Sequence, residues 1–122
     1  MFARRINYLV KNKYYFATLD EIVDEIDGKI DLPQKTVAIT FDDGYESFLN
    51  QAWPILKSLN IPTTLFIITD FEAGGYLGKE RALLKADCLK EILNSMLVYL
   101  QFHSKTHGNL MKLNKNDLKK EI

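Results

Sequence analysis

The apolar positions of this chain change period along its length and divide it into alternating helical and strand segments. Thr18-Leu19-Asp20-Glu21 has the form of a capping box, in which the Thr18 hydroxyl and the Glu21 carboxylate each satisfy a backbone donor. The helix it opens carries Ile22, Val23 and Ile26 on one face and stops at Gly28. Pro33 then precedes Thr36-Val37-Ala38-Ile39-Thr40-Phe41, a β-branched run of strand length. Helical spacing returns from about Glu46 to Leu59 through Phe48, Leu49, Ala52, Ile55, Leu56 and Leu59, and Pro54 inside it predicts a kink or restart. Pro62 introduces a second strand, Thr63 to Thr69, whose near-continuous apolar run suits burial on both faces. Gly74, Gly75 and Gly78 mark a loop, and a helix is expected from about Glu80 to Asn94. Met96 to Phe102 reads as a third strand, and Asn114-Lys115-Asn116-Asp117 opens a last helix running into Leu118 and Ile122.

Such alternation implies an α/β fold with parallel strands joined by right-handed helical crossovers. Functional groups in these folds gather at the carboxyl ends of the strands. Asp42 and Asp43 directly follow the first strand and His103 directly follows the third, so all three are expected on one side of the sheet.

Composition narrows the classes. With 122 residues, 47% hydrophobic and 11% aromatic, the chain is one domain at most, with material for a real core. Sixteen basic and sixteen acidic side chains cancel, which argues against a nucleic-acid partner. The single cysteine, Cys88, excludes an internal disulfide framework and reads as a small buried hydrophobe in a helix. No apolar run approaches the roughly 18 residues of a membrane span. Met1 to Arg5 has the charge of a secretory leader, but Asn7, Lys11, Asn12 and Lys13 interrupt the apolar stretch that should follow. The expectation is therefore a chain without an export signal, or one whose natural start lies upstream, and the compartment stays open. Tyr14, Tyr15 and Phe16 read as an N-terminal packing patch, Trp53 as core, and Lys112, Lys115, Lys119 and Lys120 as a solvated helix face.

The chemistry concentrates in two short segments. Adjacent carboxylates after a buried strand repel one another, and a nearby cation relieves the repulsion. His103 and His107, the only histidines in the chain, stand four apart and can point the same way if the backbone makes one turn. Imidazole and carboxylate together suit zinc, cobalt or nickel. Three protein ligands with open positions are the pattern of a catalytic site, and the remaining carboxylate is then free to act as a base toward water. Either motif alone has a plain structural explanation: Asp-Asp-Gly is a common turn, with Gly44 at positive φ and an Asp capping the next helix. Their shared position at strand ends favours metal binding.

Thr40-Phe41-Asp42-Asp43-Gly44-Tyr45 resembles the first motif of the polysaccharide deacetylases (the NodB-homology domain, carbohydrate esterase family 4), and His103-Ser104-Lys105-Thr106-His107 resembles their second. Ala52-Trp53-Pro54-Ile55-Leu56, Ile61-Pro62-Thr63-Thr64-Leu65-Phe66, Asn109-Leu110 and Lys119 to Ile122 are similar to the flanking segments. The resemblance runs from about Leu19 to the last residue. It implies Asp42 as general base, Asp43, His103 and His107 as ligands of a divalent metal (zinc first, cobalt or nickel as alternatives), and the Tyr45 backbone N–H as an oxyanion donor. The reaction implied is hydrolysis of N-acetyl groups on a GlcNAc-containing polysaccharide of peptidoglycan, chitin-like or poly-β-1,6-GlcNAc type, in a family usually secreted or held at the cell envelope. Pro33-x-Lys35 and the Phe16 to Ile26 segment resemble the poly-β-1,6-GlcNAc branch.

The family's later motifs, an Arg orienting the base, an aromatic-lined Asp segment and a Leu-x-x-His carrying the acid, do not appear in these residues. Phe102 stands before His103, where the family usually has a small residue. The expected fold is thus the N-terminal part of a distorted (β/α) barrel, a single and incomplete domain over residues 1–122, since closed barrels of this kind run to about 250 residues. An open sheet edge would invite a homodimer. The alternatives to an enzyme are a catalytically incomplete domain that binds metal or glycan, and one that needs a partner chain.

Overall fold

The computed structural model describes residues 1–70 and 82–122, and the expected loop at Gly74, Gly75 and Gly78 lies outside them. The chain opens with helix α1 (Phe2–Lys11), strand β1 (Tyr15–Ala17) and helix α2 (Leu19–Ile26). Strands β2 (Thr36–Ala38) and β3 (Thr40–Phe41) follow, then a π-helical turn (Phe48–Ala52), helix α3 (Trp53–Ser58) and strand β4 (Thr63–Ile67). Helix α4 (Ala86–Leu93), strand β5 (Val98–Phe102), a 3₁₀ turn (Leu110–Lys112) and helix α5 (Lys115–Glu121) complete the described chain. The α/β class and the parallel strands are as expected: β1 pairs β2, and β4 lies between β3 and β5, all in parallel.

Several expectations need correction. Among the described residues, five strands stand where the sequence suggested three. Of the expected packing patch Tyr14, Tyr15 and Phe16, the last two belong with Ala17 to β1, in register with Thr36, Val37 and Ala38. Helix α1 precedes them because Phe2, Ile6 and Leu9 recur at helical spacing, with Ile6 buried and Phe2 packed on the core. The single run from Thr36 to Phe41 is divided at Ile39, whose carbonyl accepts the Thr64 amide at 3.0 Å and the Thr63 hydroxyl at 2.9 Å. Residues before Ile39 serve one sheet and residues after it the other. The apolar face expected of α2 is largely uncovered among the described residues, with Val23 52% and Ile26 77% exposed. Cys88 is half-buried at the core margin rather than fully enclosed.

Other expectations hold. Thr18 Oγ1 accepts the Glu21 amide at 3.1 Å while Glu21 Oε2 accepts the Thr18 amide at 2.7 Å, which is the reciprocal capping box. Pro54 restarts the helix: it lies in the first turn of α3, where its missing N–H costs no bond. The π turn lies immediately before α3. Trp53 is core, together with Leu56, Leu65, Leu84 and Ile92. Strand β4 is buried at four of its five positions, as its continuous apolar run demands. Among the described residues, no helix is long and apolar enough to cross a membrane.

The topology has one consequence for chemistry. Because β3 and β5 flank β4 in parallel, Phe41 sits level with Leu65 and Phe102 level with Ile67. Asp42-Asp43 and His103 therefore leave the sheet at the same end.

Candidate metal centre

The first segment turns sharply after β3. Asp43 and Gly44 both adopt left-handed backbone, at φ 69° and 73°, and the Gly44 amide donates to the Asp42 carbonyl at 2.9 Å. Aspartate tolerates this conformation better than most residues. Gly44 is required for a second reason: a Cβ there would lie 3.1 Å from Ile67 Cγ2 of β4. The turn is then pinned from outside, because the Glu46 amide donates to Ala82 O and the Leu84 amide to Gly44 O, making an antiparallel bridge between Tyr45 and Leu83. The helical turn that follows has Ser47 at its N-cap with no side-chain bond, so neither Asp42 nor Asp43 serves as a cap. The turn role of Asp-Asp-Gly is real, and the capping role is not.

The second segment is held to the sheet by the His103 amide, which donates to Ile67 O at 2.8 Å. Ser104 and His107 are also left-handed, at φ 62° and 60°. Each such residue costs about 1–3 kcal/mol unless its surroundings hold it. Here the Ser104 hydroxyl accepts the His107 amide at 3.0 Å, and the Ser104 and Lys105 carbonyls accept from Thr69 and Asp70 beyond β4. The His103 ring rests 6.3 Å from that of Phe66 and 5.1 Å from that of His107.

These turns bring Asp43, His103 and His107 together. Asp43 Oδ1 lies 3.5 Å from His103 Nε2 and 3.3 Å from His107 Nε2, and the candidate ligand atoms of the three all fall within 4.8 Å of one another. Asp43 Oδ1 is buried and has no hydrogen-bond partner, an arrangement that is costly unless a positive charge completes it. Tetrahedral zinc with bonds of 2.0–2.1 Å spaces neighbouring ligand atoms by about 3.3 Å. The residues present therefore fit a small divalent cation in both donor type and separation. The imidazoles remain partly open, at 34% and 41% side-chain exposure, and border a recess of about 410 Å³ that continues along Gly108, Asn109 and Leu110. Open coordination positions reached from solvent suit a reactive site.

Asp42 is placed differently. It is exposed at the end of β3 and lines a separate pocket of about 170 Å³ with Phe2, Phe41, Tyr45, Ser47 and Phe48. Tyr45 lines the same pocket. Sequence reasoning missed Thr106 and Glu121: Glu121 Oε1 accepts the Thr106 hydroxyl and Oε2 the Thr106 amide, so the end of α5 is tied to the histidine loop. The sequence signal for Glu121 was the likeness of Lys119 to Ile122 to a family segment, and for Thr106 its place inside the second motif.

The family model described as polysaccharide deacetylase matches residues 29–122. A poly-beta-1,6-N-acetyl-D-glucosamine N-deacetylase from Staphylococcus aureus is 34% identical over 123 aligned positions, covering 98% of this chain and 40% of its own length. Among solved structures, the Streptococcus pyogenes deacetylase PplD in complex with acetate superposes with a TM-score of 0.82 at 26% identity, over 98% of this chain and 51% of that one. IcaB from Ammonifex degensii gives a TM-score of 0.74 at 29% identity, over 95% of this chain and 48% of that one. The chain spans about two fifths of the length of the curated relatives it matches.

Proposed function

The chain belongs to the polysaccharide deacetylase family, and on that premise we propose that it removes N-acetyl groups from a GlcNAc-containing polysaccharide at a centre held by Asp43, His103 and His107. The observation that carries this reading is the buried, unpartnered Asp43 Oδ1 facing two imidazole nitrogens at 3.3 and 3.5 Å. Zinc is the first candidate, with cobalt or nickel as alternatives. The poly-β-1,6-linked polymer is the first substrate to try, since it gives the Staphylococcus aureus relative its name. Such names favour hydrolysis over glycan binding alone.

A bound divalent ion would supply Lewis acidity, polarising the acetyl carbonyl and making water a better nucleophile at neutral pH. Asp42 takes a proton from the attacking water, and its exposed position keeps it available as a base. The Tyr45 backbone N–H is assigned the oxyanion role by the resemblance of Thr40 to Tyr45 to the family's first motif, donating to the oxygen on which charge develops. Water adds to the acyl carbon, the C–N bond breaks as the leaving nitrogen receives the proton first drawn from water, and acetate and a free amine leave.

Acetate release from poly-β-1,6-GlcNAc oligomers tests the proposal. Release that needs added zinc, stops with chelator, and falls about 100-fold or more in Asp42→Asn is expected, as loss of a general base typically costs 10²–10⁴-fold. Metal-independent release, or full activity in Asp42→Asn, would overturn it.

The architecture supports two further parts of the reading. Residues 1–122 form one domain, an arc of a distorted (β/α) barrel in which the run through Ile39 links the two parallel sheets. Strand β5 carries no strand on its outer side among the described residues, and Phe102 is 80% exposed, so two copies pair through this edge. Light scattering across a concentration series checks the pairing, and a monomer at all concentrations removes it.

A further inference from the structure

We propose that Glu121 is a positioning residue for the metal centre, holding through Thr106 and Lys105 the loop on which His103 and His107 are set. This rests on the reading of Asp43, His103 and His107 as metal ligands. The distances are those of a clamp: Glu121 Oε2 accepts the Thr106 amide at 2.9 Å, Oε1 accepts the Thr106 hydroxyl at 2.6 Å, and the Glu121 carbonyl accepts the Lys105 amide at 2.9 Å. Three donors from two adjacent loop residues thus end on a single residue of α5. That helix is itself anchored, since Asn114 Oδ1 accepts the Asn116 and Asp117 amides at its start.

The loop needs such an anchor. Ser104 and His107 both hold left-handed backbone, which side chains with a Cβ disfavour, so an unrestrained loop would relax and turn the His107 ring away from Asp43. Ser104 restrains the loop from within and β4 from one side. Glu121 restrains it from the other side, at the residue immediately before His107. Hydrogen bonds to Thr106 hold the Glu121 carboxyl below its ordinary value, so the acceptor is the charged form and its bonds are the stronger for it. The hydrogen bonds of Glu121 go to Thr106 and Lys105 and not to an imidazole, which separates this role from that of a carboxylate tuning a ligand's basicity.

The test is a cobalt(II) titration of the whole chain by calorimetry and visible absorption, with hydrogen exchange over residues 103–107 measured in metal-free samples. Glu121→Ala and Thr106→Val should bind cobalt about 10-fold more weakly, the lower end of what losing a direct partner of a ligand costs, since both act through the loop. Both should speed exchange at the loop amides and alter the cobalt spectrum. Thr106→Ser keeps the hydroxyl and should match the wild type. Glu121→Gln keeps the shape and one acceptor oxygen, should fall between, and carries the test if Glu121→Ala does not fold. Wild-type cobalt affinity and unchanged exchange in Glu121→Gln and Thr106→Val would overturn the inference while leaving the metal centre standing. A wild-type chain that binds no cobalt, with exchange still rising in Glu121→Gln, would overturn the metal reading and reduce Glu121 to a structural tie.

Discussion

Asp43 Oδ1 lies 3.3 Å from His107 Nε2, although two helical crossovers separate these residues in the chain. Neither side chain finds its partner locally. Asp43 is aimed by the left-handed turn after β3, and His107 by a second left-handed turn after β5. The first turn lies against Ile67 at Gly44 and is tied to Ala82 and Leu84, and the second is hydrogen-bonded to Ile67, Thr69 and Asp70, so β4 stands between the two. His107→Ala and His103→Ala should each abolish saturable one-site zinc binding, weakening it by more than the roughly 10–100-fold that an outer-shell loss costs. Calorimetry on samples with native circular dichroism checks this, and undiminished binding in either variant would remove that histidine from the centre.

Gly44→Ala should destabilise the fold by roughly 1–3 kcal/mol, because it adds left-handed strain to a close approach against Ile67. The urea midpoint reads the loss. The same substitution pushes on the turn that aims Asp43, so zinc affinity should fall with it. A Gly44→Ala chain of unchanged midpoint would mean that β4 yields at Ile67.

The site was legible in the sequence because both of its halves are short motifs placed directly after strands. Each strand announces itself by β-branched or apolar runs, and the α/β alternation then puts the motifs at one end. Less visible were features decided by distant partners. Tyr15 to Ala17 is too short to show a period, and becomes β1 only because Thr36 to Ala38 offers a parallel edge. Ile39 looks like any other strand residue, yet its carbonyl is where the run changes sheets. Glu121 has the pattern of a solvated helix end, and nothing near it in sequence indicates that Thr106 will donate to it twice. Val23 and Ile26 show the reverse case, an apolar helical face that the described residues leave open.

Glu21 gives a pH dependence whose sign follows from its bonds. The Thr18 amide first, then the Tyr15 hydroxyl, hold its carboxyl below the ordinary 4.5 against an opposing effect of burial, and the Thr18 hydroxyl adds least. A depressed folded value contributes stability that is complete above the unfolded value and is lost as pH falls through the folded one. The cap should therefore weaken below about pH 4.5 and not between pH 6 and 8. Other carboxylates titrate in the same window, so the measurement is a difference: the loss of urea midpoint from pH 7 to pH 3 should be smaller in Glu21→Gln than in wild type. Equal losses would show that the capping box does not titrate as described. At pH 7, Thr18→Ala should cost about 1 kcal/mol through loss of the cap alone.

Asp42 and Asp43 are neighbours with opposite surroundings, and their variants should separate accordingly. Asp43 is 15% exposed at its side chain and faces two imidazoles, whereas Asp42 is exposed and borders a pocket with Tyr45 and Phe48. Replacing Asp43 by Asn keeps the shape but removes the charge that offsets a cation, so zinc affinity should collapse and turnover with it. Replacing Asp42 by Asn removes a base and leaves the ligand set whole, so zinc should bind as in wild type while acetate release falls by about 10²–10⁴-fold. Paired calorimetry and turnover on the two variants distinguish the roles. Loss of zinc binding in Asp42→Asn would make it a ligand, and turnover retained in Asp43→Asn would mean that the cluster of Asp43, His103 and His107 is not where hydrolysis occurs.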